Sequence, residues 1–185
     1  FLPLAINYDG SSPHRGDGFQ FHVGTMRSKS RGFVAIKNAD PQNSPTIKFN
    51  YLSHSDDLKD FRNAIRITRN ILDQPAFKDF AGQEIQPKPT VKSNRELDEF
   101  IKSSVESAFH PCGTCKMGDP ADKETVVTPE CKVNGVENLF CADSSIFPSI
   151  TNGNLNAPSI MVGEKAVDHI LNKPLLPKEN LVPYN

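Results

Sequence analysis

The spacing of apolar residues in the first third of the chain predicts three antiparallel strands. Apolar and polar side chains alternate over residues 19–23, 33–36 and 47–51, a period of two that is typical of half-buried strands. A turn-rich loop with two prolines at 38–45 separates the last two segments, and proline cannot donate to a sheet ladder. We therefore expect a meander or long hairpin of antiparallel strands.

Beyond this region the apolar spacing changes to that of a helix. Apolar residues recur every three or four positions over 55–73, with Ser55 as the expected N-cap and Pro75 as the stop. The capping-box pattern over residues 93–96 opens a second helix that is expected to run to about Ala108. Pro158 suits the first position of a third helix. The single apolar stripe on each of the first two helices predicts that both pack over the sheet.

The remaining segments are shorter and more irregular. We expect an extended connection over 81–92 with a short strand near Glu84, a loop over 109–132, and short buried strands at Val133 and 139–142. Residues 148–157 form a polar, Asn-rich turn. The predicted fold class is α+β: a mostly antiparallel sheet covered by helices, plus a C-terminal strand–loop–helix piece. The expected segments are 1–18 (irregular), 19–132 (main domain), 133–173 (C-terminal piece) and 174–185 (extended tail).

Composition narrows the range of functions. Hydrophobic residues make up 37% and charged residues 23% of the 185, an ordinary globular balance. The net charge of -1 gives no general reason to bind nucleic acid or an anionic membrane. No apolar run approaches the roughly 18 to 20 residues of a membrane span. The chain opens at Phe1 without a methionine, so we expect it to be an internal part of a longer protein.

Four cysteines, at positions 112, 115, 131 and 141, raise the question of metal or redox chemistry. Cys112 and Cys115 form a C-x-x-C, but zinc needs about four ligands, and Cys131 and Cys141 are ten residues apart. A thioredoxin-like site needs a strand before the motif, and here a helix is predicted. The preferred interpretation is small, partly buried, reduced thiols in a cytosolic or cytosol-facing protein, with the other two left as alternatives.

Two stretches contain residues that are suited to catalysis or ligand binding. His110 leaves a predicted helix and is followed by Pro111, which suits a rigidly presented imidazole, and histidine is the usual general base near neutral pH. A lone histidine can equally be structural. Further on, Asp143 ends a short apolar strand, and Asn154 and Asn156 lie at the start of a helix, where free backbone N–H groups stabilise negative charge. The alternative for this second stretch is a loop with an N-cap.

Taken together, the two stretches resemble a known family. Residues 109–118, Phe-His-Pro-Cys-Gly-Thr-Cys-Lys-Met-Gly, resemble the H-P-x-G-T-x-x-M-G signature of glucose–methanol–choline oxidoreductases. Residues 142–145 resemble that family's D-A-S element, and residues 153–158 resemble its G-N-x-N-A-P turn. The resemblance covers essentially the whole chain in the expected order. The segments 5–8 and 22–28 and the signature itself look most similar to the choline-oxidising bacterial members.

The resemblance implies an FAD-dependent alcohol dehydrogenase that oxidises choline to betaine aldehyde by hydride transfer to the flavin. His110 would be the catalytic base, and Asn154 would hydrogen-bond the substrate oxygen. Phe109 would form a wall of the trimethylammonium pocket, with plain core packing as the alternative. Residues 19–132 would be the substrate-binding domain, and 133–173 would return to the FAD domain. The implied cofactor-binding residues are Ala142, Asp143, Gly153, Asn156, Ala157 and Pro158.

The resemblance also implies what the chain needs from elsewhere. No G-x-G-x-x-G dinucleotide fingerprint occurs in the sequence, so an N-terminal FAD domain is an expected partner. Alone, the chain should bind FAD weakly or not at all, be inactive, and self-associate through exposed surfaces. The other expected partners are choline or a similar alcohol and a respiratory electron acceptor, in the bacterial cytoplasm or at the inner membrane. The alternatives are an enzyme for another alcohol, a hydroxynitrile lyase-like member, or a non-catalytic fragment that keeps only the fold.

Overall fold

The structure is a computed structural model that describes residues 1–7, 10–12, 14–174, 176–177 and 179. The chain divides into two compact units, residues 1–107 and 108–185. Each unit has its own hydrophobic core. The segment limits inferred from the sequence, with a boundary after residue 132, stay a prediction, and most of the predicted tail lies outside the described residues.

The first unit contains a two-stranded antiparallel sheet. β1 (Phe33–Ala35) pairs with β2 (Thr46–Lys48), with Val34 opposite Ile47. With the helices described below, this confirms the α+β class, and the sheet is smaller than the alternation predicted. The short strand expected near Glu84 is wrong, because residues 81–92, all described, contain no strand.

The strand predicted over 19–23 is also wrong. In this segment only Gln20 is paired, through two backbone hydrogen bonds of 2.8 and 2.9 Å with Leu2. The alternating aromatic rings pack on one another instead of lining a ladder: Phe19 and Phe21 are each within 6.4 Å of Phe77, centroid to centroid, and within 5.4 Å of Phe1. Their alternation therefore reflects an aromatic cluster.

Two helices complete the core of the first unit. α1 (Ser55–Leu72) and α2 (Asn94–Ser104) pack on each other around Ile65, Leu97 and Ile101. The prediction that both helices pack over the sheet is wrong, because their apolar stripes meet each other and the two strands are largely exposed. The expected N-cap Ser55 is wrong by one residue, because His54 Nδ1 accepts the N–H of Asp56 at 3.2 Å. The capping box of α2 is confirmed: Ser93 Oγ accepts from Glu96 N at 3.2 Å, and Glu96 Oε2 accepts from Ser93 N at 2.9 Å.

The second unit contains α3 (Asn156–Ile170) and a 3₁₀ turn at Ser144–Ile146. Pro158 is the third helical residue, not the first, and its missing N–H is still tolerated there because it lies in the first turn. The strands expected at Val133 and 139–142 are reduced to isolated bridges. The buried core consists of Val127, Cys131, Ile146, Phe147, Leu155 and Ala166. Among the described helices, none combines the length and apolarity needed to cross a membrane.

Candidate active site

The loop that follows His110 is fastened to the 3₁₀ turn by its backbone. Three alternate N–H groups donate to three consecutive carbonyls at 3.2, 2.8 and 2.8 Å. The pairs are Gly113 with Ser144, Cys115 with Ser145, and Met117 with Ile146. Ile146 lies in the same buried cluster as Leu155, just before α3. The histidine loop, the 3₁₀ turn and the start of α3 are therefore built on one core.

Two residues of this loop have unusual backbone conformations. Phe109 has a φ of 57°, in the left-handed region that a bulky side chain rarely occupies. Such a conformation costs on the order of 1 to 3 kcal/mol and persists only where the surroundings hold it. Gly113 has a φ of 84°, and a Cβ there would lie 3.3 Å from the carbonyl oxygen of Phe147. The glycine of the signature is thus required both by its backbone angle and by close packing.

An open cleft of about 260 Å³ lies beside His110. His110 is half-buried, whereas the Phe109 ring next to it is 71% exposed. The residues that line the cleft are Phe109, His110, Pro111, Ser144, Leu155, Asn156 and Ser159. Residues 109–111 and residues of the 144–159 segment therefore face one cavity, although more than 30 positions separate them in sequence. This arrangement is expected if a base and an anion-stabilising helix terminus act on the same molecule.

The cleft brings together some of the sequence-predicted residues and leaves others beside it. Phe109, His110 and Asn156 line it. Asn154 is exposed in the turn that leads into α3 and is not among the lining residues. The other implied cofactor residues are also outside the lining: Ala142, Asp143, Gly153, Ala157 and Pro158.

Asp143 has a local structural role in addition to its predicted one. Its Oδ1 accepts the N–H of Ser145 at 2.7 Å and caps the 3₁₀ turn. The side chain is exposed. The carboxylate therefore helps to fix the turn to which the histidine loop is fastened.

Four lining residues were not predicted as site residues from the sequence: Pro111, Ser144, Leu155 and Ser159. Ser144 Oγ donates to the carbonyl of Pro111 at 3.0 Å, and Ser159 Oγ donates to the carbonyl of Leu155 at 2.6 Å. Ser144 adjoins Asp143 in the D-A-S-like element, and Ser159 follows Asn156 by three positions, which places them on one helical face. Pro111, Ser144 and Leu155 lie inside the motifs quoted above. Ser159 directly follows one of them, so all four could have been considered from the motifs and their next residue.

The N-terminus of α3 is the part of the cleft best suited to negative charge. No side chain caps this terminus, so its first N–H groups stay available to a ligand. In the preceding turn, Thr151 Oγ1 is buried without a hydrogen-bond partner. Both features leave polar groups unsatisfied at or just before the start of α3.

The four cysteines all lie in the second unit as reduced thiols. Cys141 Sγ lies 3.1 Å from Ser145 Oγ, and burial raises the pKa of both the Cys131 and the Cys141 thiol. Within the described residues, no three His, Cys, Asp or Glu side chains gather as a metal-ligand set. Cys131 lies in the buried core of this unit, and Cys112 and Cys141 pack against it.

Comparison with known proteins gives one family across most of the chain. A family model described as GMC oxidoreductase matches residues 28–163. The chain is 59% identical over 184 residues to a protein of Brucella ovis named oxygen-dependent choline dehydrogenase, and 54% identical to one of the same name from Rhizobium rhizogenes. Each match covers 100% of this chain and 34% of the relative. The chain thus spans about a third of the length of these relatives.

Solved structures agree with this grouping. Pyridoxine 4-oxidase from Mesorbium loti matches 81% of this chain with a TM-score of 0.74 and 31% identity. A fungal aryl-alcohol oxidase matches 80% with a TM-score of 0.68 and 30% identity. The match covers 29% of the first of those chains and 24% of the second.

Proposed function

Because the chain belongs to the glucose–methanol–choline (GMC) oxidoreductase family, we propose that it forms the substrate side of an FAD-dependent active site that oxidises choline to betaine aldehyde. The observation that carries this proposal is the cleft in which His110 faces the first residue of α3. The name of the Brucella ovis relative supports choline as the alcohol. The flavin-binding part would be an N-terminal domain that this chain does not contain.

The residues around the cleft fit one side of a flavin. The uncapped start of α3 would favour the negative charge of the reduced ring system. Asn156 would supply hydrogen bonds from the cleft wall, with Gly153, Ala157 and Pro158 in the adjoining backbone. Ala142 and Asp143 would approach the ribityl or pyrophosphate part. When bound, FAD supplies the acceptor for the hydride that leaves the alcohol carbon.

The chain's own residues would manage the proton and the alcohol oxygen. His110 would take the hydroxyl proton on its imidazole, which raises the electron density on oxygen as the carbon loses its hydride. Asn154, in the turn before α3, would donate a hydrogen bond to that oxygen. An asparagine cannot accept a proton as a base, so the base role would belong to His110 alone.

Phe109 would hold the cationic end of the substrate. Its ring is largely exposed beside His110, and a trimethylammonium group over an aromatic face gains about 0.5 to 2 kcal/mol. Phe109→Leu should therefore raise KM for choline by about 2- to 30-fold. KM for the neutral tert-butyl isostere of choline should change little. An equal rise in KM for both alcohols would show that Phe109 contacts the substrate through van der Waals packing and does not recognise its positive charge.

The experiment uses the holoenzyme, meaning this chain joined to a flavin-binding part, which the Brucella ovis relative can supply. Choline is added without oxygen, and the visible absorbance of the oxidised flavin is followed. Bleaching by choline is expected. Bleaching by another alcohol alone would replace the substrate and keep the reaction class, whereas no bleaching by any alcohol would favour the non-catalytic alternative.

The base assignment is tested with a matched pair of histidines in the same holoenzyme. His110→Ala should lower kcat by about 10² to 10⁴-fold. His169→Ala, in the last turn of α3 and outside the cleft, should leave kcat within about twofold. A similar small effect of both substitutions would remove His110 from the base role.

The electron acceptor and the cellular location belong to the same proposal. Electrons would pass from the flavin to a respiratory acceptor in the bacterial cytoplasm or at the inner membrane. The name of the relatives instead states dependence on oxygen. Oxygen uptake is therefore compared with reduction of a quinone analogue in the presence of choline, and the faster reaction identifies the acceptor.

A further inference from the structure

Ser144 makes two hydrogen bonds to the segment that follows His110. Its Oγ donates to the carbonyl of Pro111 at 3.0 Å, and its own carbonyl accepts the N–H of Gly113 at 3.2 Å. The two hydrogen bonds hold Pro111 and Gly113 from a segment 33 positions away. The first of them depends on the serine hydroxyl, whereas the second needs only backbone.

The Ser144 hydroxyl restrains the backbone immediately after His110. The ring of Pro111 fixes φ, which leaves ψ as its one free backbone rotation. The hydrogen bond from Ser144 to the Pro111 carbonyl restrains that rotation and so ties the peptide that begins at the Cα of His110 to the 3₁₀ turn. On the other side of His110, Phe109 is held in the left-handed region, which persists only under restraint from its surroundings. His110 therefore lies between a strained residue and a residue whose carbonyl Ser144 holds.

Ser144 also lies in the same cleft as His110, half-buried, at the wall beside Pro111. Its neighbour Ser145 is different. The Ser145 hydroxyl lies 3.1 Å from the Cys141 thiol, away from the carbonyl of Pro111. The two adjacent serines thus offer a matched comparison between a hydroxyl that restrains the histidine loop and one that does not.

We propose that Ser144 is a positioning residue for His110: its hydroxyl holds the Pro111 carbonyl and thereby fixes the direction of the imidazole in the cleft. The catalytic consequence rests on the proposed function, in which His110 takes the substrate proton. Proton transfer requires the base within hydrogen-bond reach of the hydroxyl, and a displacement of about 1 Å at a reacting group can lower a rate by about 10²-fold.

The first test follows the imidazole directly and needs no turnover. The holoenzyme is labelled at its histidines, five of which belong to this chain, and the His110 ring signal is assigned in NMR spectra by its loss in His110→Gln. Ser144→Ala should shift and broaden the His110 signal, whereas Ser145→Ala should leave it in place. An unchanged His110 signal in Ser144→Ala, or an equal change in both variants, would overturn the positioning role.

The second test follows catalysis with choline. Ser144→Ala should lower kcat by about 10-fold or more with KM changed less than about threefold, and Ser144→Thr, which keeps the hydroxyl, should restore most of kcat. Ser145→Ala should stay close to wild type. A Ser144→Thr variant as slow as Ser144→Ala would contradict the role of the hydroxyl.

The two tests separate the positioning role from the proposed function. If the wild-type flavin is not reduced by any alcohol, the proposed function fails, and the His110 signal still decides whether Ser144 holds the imidazole. If the flavin is reduced and Ser144→Ala neither moves the signal nor lowers kcat, the positioning role fails and the proposed function stands.

Discussion

The carboxylate of Asp57 accepts both the backbone N–H and the hydroxyl of Ser30, at 3.0 and 2.5 Å, although the two residues are 27 positions apart. It also accepts the N–H of Lys29 at 2.8 Å and the hydroxyl of Ser28 at 2.6 Å. The Asp57 residue is only 2% exposed. One buried charge at the start of α1 therefore anchors the segment that leads into β1.

Replacing Asp57 should destabilise the first unit strongly. Asp57→Asn removes the charge from four short hydrogen bonds and turns an amide NH₂ toward their donors, so we expect a loss of about 2 to 3 kcal/mol in the free energy of unfolding. Urea denaturation followed by circular dichroism measures it. Asp60→Asn is the control, because Asp60 is exposed in the same helix, and it should change stability by less than about 0.5 kcal/mol. Equal effects of the two variants would contradict the anchoring role.

The same carboxylate predicts a loss of stability in acid. Burial raises the pKa of Asp57, but hydrogen bonds from Ser28, Ser30 and the backbone N–H of Lys29 outweigh it and lower the pKa from 3.8 to about 2. The unfolded chain therefore binds a proton first as the pH falls. The stabilisation, on the order of 2 kcal/mol, is complete above about pH 4 and is lost as the pH approaches 2.

The acid effect is measured by comparing wild type with Asp57→Asn across that pH range. The difference in unfolding free energy between them should shrink as the pH falls from about 4 to about 2, because only the wild type has this carboxyl to protonate. A difference that stays constant over the range would show that the Asp57 pKa is not lowered by folding.

The signature glycine should not tolerate a side chain. Gly113→Ala places a Cβ at a φ of 84° and 3.3 Å from the carbonyl of Phe147, at a cost of about 1 to 3 kcal/mol. Gly82 provides the contrast, because a Cβ there meets no atom within 4 Å. Gly82→Ala should leave thermal stability unchanged or raise it slightly. If both variants melt like the wild type, the conformation assigned to Gly113 is wrong.

The Cys131 and Cys141 thiols, one buried and one partly buried, should react slowly with alkylating reagents. Burial raises the pKa of Cys131 and Cys141, and the thiolate is the reactive form. At neutral pH we expect both to be alkylated by iodoacetamide at least about tenfold more slowly than in the urea-unfolded chain. Mass spectrometry of peptides after timed quenching measures each site. Alkylation of Cys131 at the unfolded rate would contradict its burial.

The sequence predicted best the features that depend on neighbouring residues. The capping box at Ser93 and Glu96 links two residues three positions apart, so its pattern specifies its geometry. The strand over 19–23 failed because alternation states only that side chains point to opposite sides. Whether Phe19 and Phe21 line a ladder or pack on Phe77 depends on residues far along the chain.

The candidate site likewise combines features set by neighbouring residues with features set by residues far apart in the sequence. The signature around His110 and the turn around Asn156 were identified from local motifs, and the structure places both residues in one cleft. The contribution of Ser144 depends on a hydrogen bond across 33 positions, which no local pattern encodes. Asn154 lies beside the cleft lining, and its predicted contact with the substrate oxygen stays a proposal.

The backbone ladder between residues 113–117 and 144–146 sets a limit on how this region can change in evolution. Alternate donors on one segment meet consecutive acceptors on the other, so each pairing depends on the number of residues between them. A single insertion or deletion between 113 and 117 would bring the wrong N–H to the next carbonyl, because only every second N–H of this segment meets the 3₁₀ turn. Substitutions at positions such as Thr114 leave the count intact. This loop can therefore vary in side chains while its length stays constant, and an alignment gap inside it would mark a protein with a different site.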